Sequence, residues 1–233
     1  MDDGSGQKAH NDLVLSFLAV RRAIGALGYF LPVALMVFAI ASGQGLKTSI
    51  SAYYYSPMRE VFVGTLIAQA VFLWSYEGFR PHAGEIITDW LTARVAAVAA
   101  ALIALAPTSG PEQPCTLLQC ILGPSVAGGL HLLAAGVFFL ALSVFCLVLF
   151  VRGDSDSDSA EKRASNRIYR ICGWVILVSI GLIGLLFATG LDQGLAWLRP
   201  VFVLETAATF AFATSWAVKG DALGPLVRGM ARP

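Results

Sequence analysis

Six stretches of the chain are almost wholly apolar, at about residues 23–41, 61–76, 91–107, 126–151, 171–191 and 201–218, and short polar joints separate them. About 20 consecutive apolar residues make one helical crossing of a bilayer. In hydrocarbon every backbone N–H and C=O must be satisfied within the protein, so runs of this length are helices. The pattern predicts an all-α membrane protein with six transmembrane helices. Residues 1–22 form an N-terminal lead, 23–220 the six-helix domain and 221–233 a polar tail. The lead turns apolar over 13–20 just before Arg21 and Arg22, as expected of the inner end of the first helix or of a short interfacial helix docked on it. Ala39-Ile40-Ala41 would suit signal-peptide cleavage, but the apolar core before it is too long for that, and cleavage would leave five spans.

Charge supports the same count. Lys and Arg collect on the cytoplasmic side of membrane proteins. When the joints are assigned alternately to the two sides, 13 of the 16 Lys and Arg residues fall on the side of the two termini, and only Lys47, Arg59 and Arg199 on the other. An odd number of spans would scramble that bias. Both termini are therefore expected in the cytoplasm, with 43–58 and 108–124 outside and 154–166 inside. Hydrophobic residues make up 57% of the chain and charged residues 13%, with a mean hydropathy of +0.71. A soluble chain of this composition could not cover its own surface with polar groups. No Lys/Arg tract proposes nucleic acid as a partner.

Cys115 and Cys120 share an outer joint that carries no Lys or Arg, where a thiol pair oxidises and persists, so a local disulfide is expected. Cys146 and Cys172 lie in or beside spans as small apolar residues. The joint 153–159 alternates Asp with Ser, yet counting from Asp154 puts Ser159 and Ser165 where a calcium loop needs Gly and Glu. It reads as a solvated linker, followed by a basic stretch, 162–170, that rests on anionic headgroups. Alanines four apart (Ala96 with Ala100, Ala97 with Ala101, Ala207 with Ala211) mark the third and sixth spans as tightly packed. The Phe-rich fourth span, with Phe138, Phe139, Phe145 and Phe150, is expected to face lipid more. Trp90, Trp197 and Tyr76 fall near span ends, at headgroup level.

Candidate chemistry concentrates on the outer side. The first outer joint runs through Tyr53, Tyr54 and Tyr55 into Arg59 and Glu60 at the mouth of the second span. The fourth span carries His131 one to two turns in, and the sixth carries Glu205 at similar depth. Ionisable residues inside spans are costly enough to need a partner or a function. Arg59 is the expected partner of Glu205, with His131 as the alternative; the same residues could serve simply as a polar clamp. A catalytic zinc usually needs three protein ligands. His10 and His82 fall on the wrong side of the membrane from His131, so no multi-histidine site can be assembled, and neither metal nor cofactor is expected. Ser49, Ser51 and Ser56 lie near His131 in depth, but no G-x-S-x-G nucleophile elbow is present.

Leu130-His131 with Ala134-Ala135 and Phe138-Phe139, Ala106-Pro107-Thr108 at the end of the third span, and Glu205 with Trp216 one helix length later resemble a family of bacterial six-helix membrane proteins catalogued as a domain of unknown function, itself similar to the DRAM-like group. The resemblance implies the architecture and directs attention to His131 and Glu205, without implying an activity. Where that family often has an acidic residue after the Pro, this chain has Thr108-Ser109. The expected function is binding of a lipid headgroup or small polar solute in an outward-facing pocket of Tyr53, Tyr54, Tyr55, Arg59, Glu60, His131 and Glu205, in a bacterial inner membrane. A membrane-embedded lipid hydrolase and a ligand-free scaffold are the alternatives.

Overall fold

The computed structural model describes residues 5–79, 84–108, 115–152 and 159–231, with side chains from Phe17 onward. His82, the segment 109–114 and the acidic linker 153–158 lie outside the described residues, as does the side chain of His10. Among the described residues every regular element is a helix. The first helix, α1 (Ser5–Ala41), runs unbroken through the lead and the first apolar stretch. It keeps Pro32 in its interior, which a helix packed among neighbours tolerates, and stops at Gly43, whose positive φ (67°) ends helical hydrogen bonding.

A 3₁₀ turn, Ser51–Tyr55, precedes α2 (Arg59–Trp74). Next comes α3 (Asp89–Leu105), capped by Thr88, whose side chain accepts from the Leu91 amide, and stopped ahead of Pro107. The short α4 (Leu117–Leu122) leads through Gly123 into α5 (Pro124–Val144), which continues as a π turn, Phe145–Leu149. Then follow α6 (Ala160–Thr189), the single turn α7 (Leu191–Gly194), α8 (Pro200–Lys219) and α9 (Gly224–Ala231). In the tail, α9 packs back on α6, burying Val227. Among the described residues four helical segments are long and apolar enough to cross a membrane: Phe17–Ala41, Pro124–Leu149, Ala160–Thr189 and Ala196–Lys219. Between them α2 and α3 pack side by side, with α3 also against α5.

The alanine-rich helices lie inside, as their spacing implied. Ala93, Ala96, Ala97, Ala99, Ala100 and Ala104 of α3 are buried, and α8 buries Ala208, Ala211 and Ala213. Small side chains let neighbouring backbones approach, and dispersion supplies the attraction that apolar burial cannot supply in lipid. One expectation fails here. The fourth span does not turn its aromatics to lipid: Phe138, Phe145 and Phe150 are core residues, and α6 is the most exposed of the four long helices. Of the rings near span ends, Tyr76 is completely buried, whereas Trp197 is 77% exposed. Tyr76, Phe145 and Phe150 converge edge-to-face on the buried Trp216 of α8, with ring centroids 4.9 to 5.2 Å apart.

Candidate functional site

The segment 48–55 forms a plug over one end of the bundle, and its backbone needs explain most of the polar residues singled out by the sequence. The carbonyl of Thr48 accepts from the Phe202 amide in the first turn of α8 (3.1 Å), and the Ile50 amide returns a hydrogen bond to the Glu205 carboxylate. The Ser51 amide faces that carboxylate too. Glu205 thus satisfies backbone donors where the 3₁₀ turn begins, which a carboxylate does more strongly than a neutral acceptor.

His131 of α5 is 2% exposed and joins two elements. Its Nδ1 stands 2.7 Å from the carbonyl of Ala106 just past α3, and its Nε2 stands 2.8 Å from Ser51 Oγ. A carbonyl can only accept, so Nδ1 carries a proton, and with Nε2 against the Ser51 hydroxyl both ring nitrogens are bonded. Ser51 is a member of the site that sequence reading passed over, because no nucleophile-elbow motif marked it.

The Tyr run divides. Tyr53 is buried against Phe202 of α8, centroids 6.2 Å apart, and its hydroxyl accepts from the Lys47 amide. Tyr55 donates to the Thr108 carbonyl (2.7 Å) and accepts from Gln119 Nε2 of α4 (3.0 Å), tying the plug to the ends of α3 and α4. Burial pushes the Tyr55 hydroxyl above the ordinary tyrosine range, opposed by the Gln119 hydrogen bond, so it remains a donor. In α4 the disulfide between Cys115 and Cys120 fixes the turn that presents Gln119. Tyr54 packs edge-to-face on Tyr55, centroids 5.3 Å apart, and its hydroxyl accepts from Arg59 Nη2 (2.8 Å), with the guanidinium carbon 4.4 Å from the Tyr54 ring centroid.

The seven expected site residues therefore do not form one pocket. Arg59 does not pair with Glu205: it binds Tyr54, and Glu205 binds backbone amides. Glu60 is exposed. Glu205, Ser51 and His131 belong to the interior of the plug, and Tyr54, Arg59 and Glu60 to a separate groove of about 440 Å³ between α2 and α3. Val63, Gly64, Ala104 and Leu105 form its floor, and Thr116 and Leu117 of the α4 segment overhang it. Among the described residues no three His, Cys, Asp or Glu side chains converge as metal ligands.

The opposite end of the bundle holds a second polar cluster that the sequence reading did not single out. Arg21 is buried, donating from Nη2 to Tyr76 Oη (3.4 Å), and Tyr76 donates to Asp89 Oδ2 (3.1 Å). The Phe79 amide also donates to Asp89. Lys219, at the last turn of α8, stands over the rings of Phe79 and Phe150 at 5.1 and 5.2 Å. In sequence these charges look like ordinary span-end residues. Arg21 and Arg22 of α1 donate directly to the Lys219 and Gly220 carbonyls at the end of α8 (3.4 and 2.7 Å), and the buried Tyr76 extends this contact to Asp89 at the start of α3.

The chain matches no family model, no curated protein and no solved structure.

Proposed function

We propose that this protein binds an anionic membrane lipid by its headgroup in the groove between α2 and α3. The observation that carries the reading is Arg59. Its guanidinium is fixed by Tyr54 at the mouth of a groove whose floor is apolar, and among the described residues no carboxylate lies within ion-pair distance. A guanidinium presents paired N–H donors suited to a phosphate. The Tyr54 hydroxyl, accepting from Arg59, keeps its own proton for a second phosphate oxygen. Val63, Gly64, Ala104 and Leu105 would lie along the start of an acyl chain.

The reading needs a membrane position for the groove, which comes from six crossings with cytoplasmic termini in a bacterial inner membrane. The four long helices supply four crossings. Helices α2 and α3, at roughly 24 and 26 Å by their rise per residue, are short for a hydrocarbon layer of about 30 Å, but the bilayer thins around a short helix at modest cost. Their packing against each other and α5, and the bias of Lys and Arg among the joints, support the count. The resemblance to the six-helix family implies the same topology. A Cys placed at Gln44 should react with an impermeant maleimide added outside intact cells, and one placed at Glu161 should react only after permeabilisation. Labelling of both from outside would reject this orientation.

A Ser-His hydrolase is the second reading, because the Ser51–His131 distance suits a nucleophile and its base. Its surroundings favour holding over catalysis. The amides of Ile50 and Ser51 face Glu205, and the Ala52 amide donates to Ser49 Oγ (3.0 Å), so the donors nearest Ser51 are occupied. A tetrahedral intermediate formed there would meet a carboxylate in place of the oxyanion donors that acyl transfer requires.

Arg59→Ala tests the lipid reading. Arg59 is exposed where it meets the buried Tyr54, so stability should change by less than about 1 kcal/mol. Anionic lipid retained through purification, measured by native mass spectrometry, should fall several-fold. Retention equal to the parent's would reject the groove as the site.

A further inference from the structure

Beneath the plug lies an interior cavity of about 60 Å³ that is separate from the Arg59 groove. It begins at Ile50, Ser51 and Glu205 and continues between α1, α2, α5 and α8 as far as Gly28 and Gln69. Gly28 is required there, because a Cβ would stand 2.9 Å from the Phe212 ring. A site of this measure needs about 10–15 Å³ for one water, so the cavity accommodates a compact group of roughly four or five heavy atoms.

Its hydrogen-bonding character leans toward acceptors. Several of the donors around it are committed: one Gln69 Nε2–H to the Ile24 carbonyl (3.4 Å), Thr209 Oγ1 to the backbone carbonyl of Glu205 (2.7 Å), and the Ile50 amide to the Glu205 carboxylate. Beside the second Gln69 N–H and the Thr65 hydroxyl, the wall offers the Glu205 carboxylate, its one charged group, and the Gln69 side-chain oxygen as acceptors. Among the described residues no Lys, Arg or His lies within ion-pair distance of Glu205. An intramembrane carboxylate without a counter-charge calls for one. The rest of the wall is aromatic. Phe62, Phe138, Phe139 and Phe212 line it, and Phe138 stands at 66° to Phe139 and 68° to Phe212, so a group among them meets ring faces as well as edges.

We infer that this cavity binds a small organic cation, a primary or methylated ammonium group, with Glu205 as counter-ion and the surrounding phenyl rings as the cage. An anion would be repelled by Glu205. A neutral alcohol would satisfy one acceptor and forgo the attraction between a cation and ring faces, which strengthens once both are out of water. A bare metal ion would need several oxygen ligands where the walls are phenyl rings. The ammonium could come from a free amine or from a zwitterionic lipid headgroup entering under the plug; the chemistry of recognition is the same.

The test measures thermal stability of the detergent-solubilised full chain against tetramethylammonium and methylammonium chloride, with sodium chloride and tert-butanol as controls at equal concentration. A ligand that binds only the folded state raises the melting temperature saturably. Both ammonium salts should do so, and both controls should not. Glu205→Gln should weaken the apparent affinity at least tenfold. Phe139→Leu keeps the apolar volume without the ring, and should weaken tetramethylammonium severalfold even if Glu205→Gln fails to fold. Reconstitution in choline-headed lipid should weaken the response to free cation if the headgroup is the natural source; an unchanged response identifies a free amine. Equal stabilisation by tert-butanol, or an unaltered response in Phe139→Leu, would overturn the inference. Arg59→Ala should leave the cation response intact, so failure of the lipid-groove reading and failure of this one are distinguishable.

Discussion

Asp89→Asn should be among the most damaging single substitutions in the chain, lowering stability by about 3–5 kcal/mol, the cost of leaving a buried charge without its partner. Asp89 is 6% exposed and is the acid on which the Tyr76 hydroxyl and the Phe79 amide converge. Behind Tyr76 stands the buried guanidinium of Arg21, and Lys219 is close enough for Arg21 to oppose its charge while Asp89 favours it. Asn keeps the volume and an acceptor but removes the one negative charge, so two cations face each other across an aromatic interior. Lys219→Met provides the contrast. It removes one of the two like charges and forfeits weak ring contacts, so stability should change by no more than about 1 kcal/mol. Unfolding in detergent, followed by Trp fluorescence, measures both; equal losses would show that net charge does not govern this end. Gly78 adds a geometric demand at the same place. Its φ of 68° and the side chain of Asp89 standing where a Cβ would go leave no room for a side chain.

The sequence announces the long helices because the length of an apolar run and the bias of Lys and Arg across joints are one-dimensional signals. Which side of a helix faces its neighbours is another matter. In water an apolar stripe marks the buried face, but lipid is as apolar as the core, so Phe138, Phe145 and Phe150 looked like lipid-facing residues when they are central. Alanine spacing succeeded for α3 and α8 because smallness, unlike hydrophobicity, separates helix contacts from lipid contacts.

Depth was also legible and rotation about the bundle axis was not. Arg59, His131 and Glu205 were expected together because they enter from the same side to similar depth. The structure sends Arg59 to one flank and the others beneath the plug. The partners of Glu205 and His131 are mostly backbone groups of 48–55 and the carbonyl of Ala106, and backbone groups have no signature in sequence. Ser51 lay at the right depth in the sequence but no motif marked it, and the charges of the Arg21–Tyr76–Asp89 network resemble ordinary helix-end residues until Tyr76 is found buried among them.

His131→Ala should cost roughly 3 kcal/mol, and the way that loss divides decides what His131 is for. Removing the ring orphans the Ala106 carbonyl and the Ser51 hydroxyl and opens a void beside α3. Polar contacts between membrane helices average only about 0.6 kcal/mol, so much of the cost comes from lost packing and the unpaired carbonyl. Ser51→Ala removes the Nε2 contact alone and should cost about 1 kcal/mol or less. If His131 is a clamp, the loss in His131→Ala should exceed that in Ser51→Ala about threefold, and Tyr55→Phe, which removes the donor to the Thr108 carbonyl, should add to it nearly independently because no partner atom is shared. If Ser51 and His131 act on a lipid ester, each variant should abolish release of fatty acid from lipid vesicles while Ser51→Ala stays folded. Ester turnover by the parent that disappears in Ser51→Ala would reject the clamp, which expects none because the committed amides around Ser51 leave a tetrahedral intermediate without stabilisation.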